Sequence, residues 1–126
     1  MTEPKWVLRR ALELLHDESI AEHAGGTGLR DAGLLESALA RPQNLYLYEN
    51  VTDPFRLAAA YAFGIAKNHP FVDGNKRAAL IAAGLFLRIN GLRLSADKAE
   101  AALVVFDLAA SEITELQFAE WLRRNS

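Results

Sequence analysis

Nine consecutive positions, His69 to Arg77, read HPFVDGNKR and hold an imidazole, a carboxylate, a carboxamide and two cations, with a glycine between acid and amide. They run directly into AALIAAGLFL, Ala78 to Leu87, which has no charged or strongly polar side chain. A helix beginning at Asn75 presents free N–H groups and a partial positive charge at that junction, and both favour an anion, phosphate above all. Gly74 permits close backbone approach or a positive φ. Asn75 can orient a ligand with a donor and an acceptor, Lys76 supplies a point charge, and Arg77 a planar fork that grips phosphate oxygens in pairs. Cations at a helix N-terminus are opposed by the dipole, by a few tenths to about 1 kcal/mol. A bound anion removes that penalty. The plainer alternative makes Asp73 a simple helix cap and Lys76 and Arg77 solvated first-turn residues, and it leaves the two cations unexplained.

A single carboxylate beside a phosphate site is a common way to hold Mg²⁺, with substrate oxygens and water completing the shell, so Asp73 is the candidate metal ligand. His69 lies four residues earlier. A histidine, with an unperturbed pKa of about 6.5, can accept a proton from an attacking hydroxyl, which is typically worth about 10²- to 10⁴-fold in rate. Pro70 and Phe71 would anchor the loop in the core and keep His69 still. His16 and His23 have nothing convergent around them in sequence and read as structural. Lys67, at the end of the preceding helix, sits where a cation is favourable anyway, so a phosphate contact is the weaker reading there. Base, metal ligand and anion clamp in this order point to transfer of a phosphate-containing group onto a hydroxyl, with positioning and charge neutralisation doing most of the catalysis.

Several elements must position these groups. Val7, Leu8, Ala11, Leu12, Leu14, Leu15 and Ile20 recur at helical spacing and predict a helix from Pro4 to Glu22, broken by GGTGLRD. Asp31 caps a short second helix with Leu34, Leu35, Ala38 and Leu39 inward and Pro42 as its stop. The stretch from Pro42 to Asp53 alternates enough to predict an exposed loop or small hairpin, a flap near residues 44–52. Asp53 and Pro54 open a third helix that ends near Asn68, because Pro70 pushes His69 out of the helical region and toward an extended conformation. The fourth helix runs from Asn75 to Asn90, stops at Gly91 and should be buried on most of its circumference. A fifth follows with Ser95 as cap, and a sixth with Thr114 as cap and Gln117 completing a capping box. The expectation is one all-α domain over residues 1–126, a bundle of about six helices with a small flap.

Lysine and arginine number 14 against 16 acids, a net charge of −2, so no global basic field holds a nucleic-acid backbone. No direct nucleic-acid partner is expected. The chain has no cysteine, which excludes thiol catalysis and suits a reducing compartment, with cytoplasm as the default. The N-terminus mixes charge into its apolar residues unlike a signal peptide, and no stretch reaches the ~18 apolar residues of a membrane span.

HPFVDGNKR resembles the Fic-fold signature His-x-Phe-x-(Asp/Glu)-Gly-Asn-Gly-Arg, and most of all the variant carried by the Doc (death on curing) toxins of toxin–antitoxin modules. Six residue types match at fixed spacing, and length, helical pattern and the GNKRAAL continuation extend the resemblance over essentially the whole chain. It implies that His69 is the general base, that Asp73 binds Mg²⁺, and that Gly74, Asn75 and Arg77 form the ATP phosphate site, to which Lys76 is added by its own charge rather than by the motif. It further implies a flap, here Tyr46 to Val51, that aligns the target by backbone pairing. Adenylylating Fic enzymes have a glycine where this chain has Lys76 and a further arginine where it has Leu80. Doc toxins share those departures, so the resemblance implies γ-phosphoryl transfer from ATP to a threonine of elongation factor Tu, halting translation. Restraint would come from a Phd-like antitoxin whose C-terminal segment folds into a groove. SEITEL, Ser111 to Leu116, matches the self-inhibitory Fic helix only in part and reads as a chance likeness. Two alternatives stand beside the kinase: transfer of AMP or another nucleotidyl group to a protein hydroxyl, and a non-catalytic helical binding module.

Overall fold

The computed structural model describes residues 2–126 except Ala24 and Thr27, and the side chain of His23, set aside above with His16, lies outside the described residues. Six helices follow one another: α1 (Arg9–His23), α2 (Ala32–Glu49), α3 (Pro54–Asn68), α4 (Asn75–Ile89), α5 (Lys98–Ala109) and α6 (Glu115–Arg124). Among the described residues the one strand-type pairing is an isolated bridge between Leu29 and Phe71. The all-α expectation holds. No helix among the described residues is long and apolar enough to cross a membrane.

The bundle is built around α3, which packs against α2, α4, α5 and α6. Its start is set by Asp53, whose carboxylate accepts the Phe55 N–H at 2.9 Å, with Pro54 in the first turn where its missing N–H costs nothing. Leu57 to Ala62, Ile65 and Ala66 are buried, and Gly64 lets α2 come close: a Cβ there would stand 3.1 Å from the Ala38 Cβ. Small residues on both helices allow that approach. Asp31 caps α2 and Thr114 with Gln117 forms the expected capping box on α6. The cap of α5 is Asp97 rather than Ser95, because the Ser95 N–H is committed to the Asn125 carbonyl at 2.6 Å, which keeps that residue in the connection.

Two expectations fail at the first two helices. Residues 2–8 are not helical. Lys5 exchanges two hydrogen bonds with the Asn90 side chain, Trp6 packs between Tyr46 and Phe86, and the Val7 N–H donates to the Tyr61 hydroxyl at 3.0 Å. Those partners hold an extended strap and delay α1 to Arg9. In α2, Pro42 does not stop the helix, and there is no hairpin or flap at residues 44–52: the helix runs on to Glu49. Leu35, Ala38, Leu39 and Pro42 are buried and Leu45 and Tyr46 half-buried, which is a 3.6-residue period continuing through the proline. An internal proline costs an isolated helix ~3 kcal/mol or more. Burial of that whole face offsets it. Tyr46 to Glu49 therefore present no free backbone edge to a target.

Burial pushes the Tyr61 hydroxyl up from 10.0 to about 12, against a smaller lowering by its bond to Val7. The neutral phenol is favoured by the fold, so this contribution is whole below pH 10 and is lost as pH rises through 12. Two pH units correspond to roughly 2–3 kcal/mol. Denaturant unfolding from pH 9 to 12 should show the wild-type chain losing about that much more stability than Tyr61→Phe; parallel curves would overturn the assignment.

α4 is enclosed on less of its surface than its composition predicts. Ala78, Ala79, Ala82, Ala83, Phe86 and Leu87 are buried, but Leu80, Ile81 and Leu85 are only half-covered and line a groove of about 710 Å³ with Leu15 of α1. The more completely enclosed helix is α3, whose run from Leu57 to Ala62 is buried without a break.

Candidate active site

The loop between α3 and α4 carries the motif, and its two ends are fixed differently. At the α3 end His69 adopts φ 51°, ψ 56°, the left-handed region, rather than the extended conformation that the following proline suggests. Local bonding decides this. The His69 N–H still reaches the Ile65 carbonyl at 3.2 Å, while Arg30 spans the helix end, donating from Nε to the His69 carbonyl (2.7 Å) and from Nη2 to that of Asn68 (2.9 Å). The Pro70 carbonyl accepts from the Arg30 and Asp31 N–H groups, and the Val72 N–H donates to Gly28. Pro70 and Phe71 are buried, as anchors must be, and the His69 side chain is exposed with no hydrogen-bonding partner among the described residues. A left-handed non-glycine residue held by so many bonds is the kind of local strain that accumulates at working sites.

At the α4 end, Gly74 is the N-cap with φ 72°, and no side chain caps the helix. Asp73 is therefore not a cap: its Oδ1 accepts the Gly74 N–H at 2.8 Å, within the loop. The first turn's N–H groups at Asn75, Lys76 and Arg77 have no protein acceptor among the described residues. Asn75 uses both ends of its carboxamide on Phe71, accepting its N–H (2.9 Å) and donating to its carbonyl (3.0 Å), so the side chain holds the loop rather than reaching outward. Arg77 is half-buried with no ion-pair partner among the described residues. Lys76 is exposed, its ammonium 5.6 Å from the centre of the Phe106 ring.

His69, Asp73, Gly74, Asn75, Lys76 and Arg77 line one cleft of about 470 Å³ with Ile20, Gly25 and Val72. All six residues singled out by the sequence are thus brought together. Lys67 is not among them, being engaged with the Ala109 carbonyl at 3.0 Å and the Ser111 hydroxyl. Leu80 lies on the apolar groove instead. Ser111 and Glu115, the partial match to a self-inhibitory helix, are likewise used elsewhere, Glu115 pairing with Arg41 at 2.6 Å. Two contributors went unnoticed in the sequence, Arg30 and the Gly25 backbone, and a third, His16, was read as structural only. A Cβ on Gly25 would fall 2.8 Å from the Asp73 Oδ2, so only glycine admits the carboxylate in that position. The paired glycines in GGTGLRD, taken as a break, were the signal available for a close approach.

The donor set suits a magnesium ion bound together with phosphate. Asp73 has one oxygen committed to Gly74 and the other turned to the cleft rim at Gly25. No group of three histidine, cysteine or acidic side chains that could hold a metal occurs among the described residues, so for a magnesium ion at Asp73 most of the shell would come from ligand oxygens and water. N–H groups and a guanidinium without partners among the described residues, together with an exposed imidazole, make a surface whose chemistry fits an anion next to a hydroxyl.

A profile of the Fic/DOC family matches residues 6–87. The chain is similar to the protein named Protein kinase doc from Escherichia phage P1, 40% identical over 110 residues that cover 87% of this chain and 86% of the relative. It is also similar to Toxin Doc of Mycolicibacterium smegmatis, 47% identical over 74 residues, 58% of this chain and 57% of that protein.

Proposed function

The chain belongs to the Fic/Doc family, and from that premise we propose that it is a toxin acting as a Mg²⁺- and ATP-dependent protein kinase. Its target is a serine or threonine hydroxyl on a translation factor, elongation factor Tu by resemblance. The observation that carries the reading is the start of α4: three N–H groups and the half-buried Arg77, all without a partner among the described residues, beside Asp73 and His69 in one cleft.

In this reading the α4 N-terminus and Arg77 bind the ATP phosphates, and Asp73 would hold the Mg²⁺. Mg²⁺ held there would supply charge neutralisation for the transferring phosphoryl group. His69 takes the proton of the acceptor hydroxyl as the bond from that oxygen to the γ-phosphorus forms; the bond from phosphorus to the β–γ bridging oxygen breaks and ADP leaves. Arg30 and the buried Pro70 fix the His69 backbone from which the imidazole projects. The competing reaction, AMP transfer, uses the same base on the α-phosphorus. Lys76 in place of a glycine and Leu80 on the groove, away from the cleft, favour the kinase. Incubation of elongation factor Tu with ATP labelled at the α or the γ position decides between them: γ label retained on the protein supports the proposal, and α label, or no incorporation at all, overturns it.

The groove between α1 and α4 suits the restraining partner. It is apolar along Leu15, Leu80, Ile81 and Leu85 and has Arg88 and Arg93 in its lining, which fits an amphipathic helical segment with acidic residues, the C-terminal segment of an antitoxin. Gly84 lines it, and a Cβ there would meet nothing within 4 Å. Gly84→Trp should therefore fold normally and bind a synthetic antitoxin C-terminal peptide at least tenfold more weakly, on the order of 1.4 kcal/mol by calorimetry. Unchanged affinity would place the partner elsewhere.

A further inference from the structure

His16 stands apart in the core. Among the described residues it is the one buried side chain outside the aliphatic and aromatic core set, and it is fully buried. Its ring stacks on Phe71 with centroids 3.9 Å apart and planes 22° from parallel. Nε2 lies 2.8 Å from the Asp73 carbonyl. A carbonyl can only accept, so Nε2 carries a proton, and Nδ1 is buried with no hydrogen-bond partner among the described residues, 3.9 Å from the nearest Asp17 oxygen. An apolar residue would fill this space without leaving an unsatisfied nitrogen, and such orphans are costly. The ring must therefore be doing something that an apolar side chain does not.

What it touches is one peptide unit. The carbonyl end, Asp73 C=O, accepts from His16, and the amide end, Gly74 N–H, donates to the Asp73 carboxylate at 2.8 Å. The same Nε2 would lie 3.3 Å from a Cβ on Gly74, so the ring also bounds the residue whose φ of 72° launches α4. The buried ring is thus what ties this peptide plane to α1, 57 residues away, and restrains its rotation. Its orientation determines where the Asp73 carboxylate sits and where the following N–H groups point.

We propose that His16 is a positioning residue: its Nε2–H pins the Asp73–Gly74 peptide, and thereby sets both the metal-binding carboxylate and the anion-binding turn of the site. The inference rests on the kinase reading for its consequences, but its structural half stands independently. His16 itself touches neither substrate nor metal.

Three measurements test it. In the unliganded wild-type chain, ¹⁵N NMR should find the His16 Nε2 protonated and coupled across the hydrogen bond to the Asp73 carbonyl; a ring whose Nε2 carries no proton, the Nδ1–H tautomer, overturns the proposal. His16→Phe keeps the stack and volume but lacks the donor. It should stay folded, move the Gly74 amide resonance, and raise by about tenfold or more the Mg²⁺ concentration that half-saturates nucleotide binding in calorimetry, with His16→Gln recovering most of the affinity through its amide N–H. Equal Mg²⁺ dependence in wild type and His16→Phe, or no recovery in His16→Gln while His16→Phe is impaired, overturns it. Should His16→Phe not fold, the tautomer and the His16→Gln comparison with wild type still decide. If the wild-type chain binds no magnesium nucleotide, the kinase reading fails while the tautomer and the Gly74 resonance continue to judge the role of His16.

Discussion

Replacing His69 by alanine should lower phosphoryl transfer by about 10²- to 10⁴-fold, the usual range for losing a general base, and leave the binding of magnesium nucleotide nearly unchanged. The two effects separate because the imidazole is exposed and makes no hydrogen bond to the protein among the described residues, whereas the proposed phosphate site is the start of α4. Alanine is not a clean probe on its own, since position 69 is left-handed and a side chain there carries a conformational cost. His69→Asn is the sharper variant. Asparagine tolerates the left-handed region better than most residues, so it retains the backbone and removes only the base. Both variants should fall by a similar factor in kcat, with KM for ATP held. If His69→Asn keeps activity within tenfold of the wild type while His69→Ala loses it, the residue matters for the shape of the loop and the proton is taken elsewhere. Growth arrest on expression offers the cellular counterpart: it should disappear in both variants, and its persistence would favour a binding module with no catalysis.

The two variants together address what the sequence could and could not reveal about this loop. The motif was legible because its chemistry is contiguous: imidazole, carboxylate, glycine and cations occur within nine positions, and a helix start converts their order into a cleft. The helices beginning at Asp31, Asp53 and Thr114 were legible for a related reason, each announced by a capping side chain next to its own first turn. What escaped is held by partners far along the chain. Arg30 lies 39 residues from the carbonyl it grips, and His16 lies 57 from Asp73. Neither pairing leaves a local pattern. The same holds for the strap at Lys5 to Val7, whose partners Asn90 and Tyr61 lie 85 and 54 residues away and override a helical period that was otherwise sound.

Pro42 teaches a different lesson, for the information was present and pointed the other way. Proline normally ends a helix, and Leu45, Leu47 and Val51 do alternate with polar residues, so a hairpin was the natural expectation. The competing 3.6-residue period from Leu35 to Tyr46 was also there. Packing chose it, because a helix that continues through Pro42 keeps Leu45 and Tyr46 against the core, with Tyr46 edge-on to Trp6 at 5.7 Å. The consequence for function is direct: backbone alignment of a protein target cannot come from Tyr46 to Glu49, and the backbone bonded alongside the motif is instead the segment from Gly28 to Asp31.

Gly74→Ala should cost about 100-fold in kcat/KM, because two separate errors meet at one atom. A φ of 72° penalises any residue with a Cβ by roughly 1–2 kcal/mol. The added carbon would also stand 2.6 Å from the Ile20 Cδ1 and 3.3 Å from the His16 Nε2. The Ile20 methyl is the end of a flexible side chain and can move, whereas His16 is fully buried against Phe71 and cannot. The backbone must therefore shift at the residue that launches α4, and displacement of catalytic groups by as little as 1 Å can cost on the order of 100-fold. Ile20→Val removes Cδ1 and lets the two errors be weighed. If the Ile20 contact dominates, Gly74→Ala combined with Ile20→Val should regain most of the lost activity. The expectation here is a recovery of no more than about threefold, since the left-handed φ and the His16 contact both survive the second substitution. Full recovery would mean that the cleft tolerates an ordinary residue at its threshold, and the close fit of the Asp73–Gly74 peptide to its surroundings would then have no part in placing the phosphates.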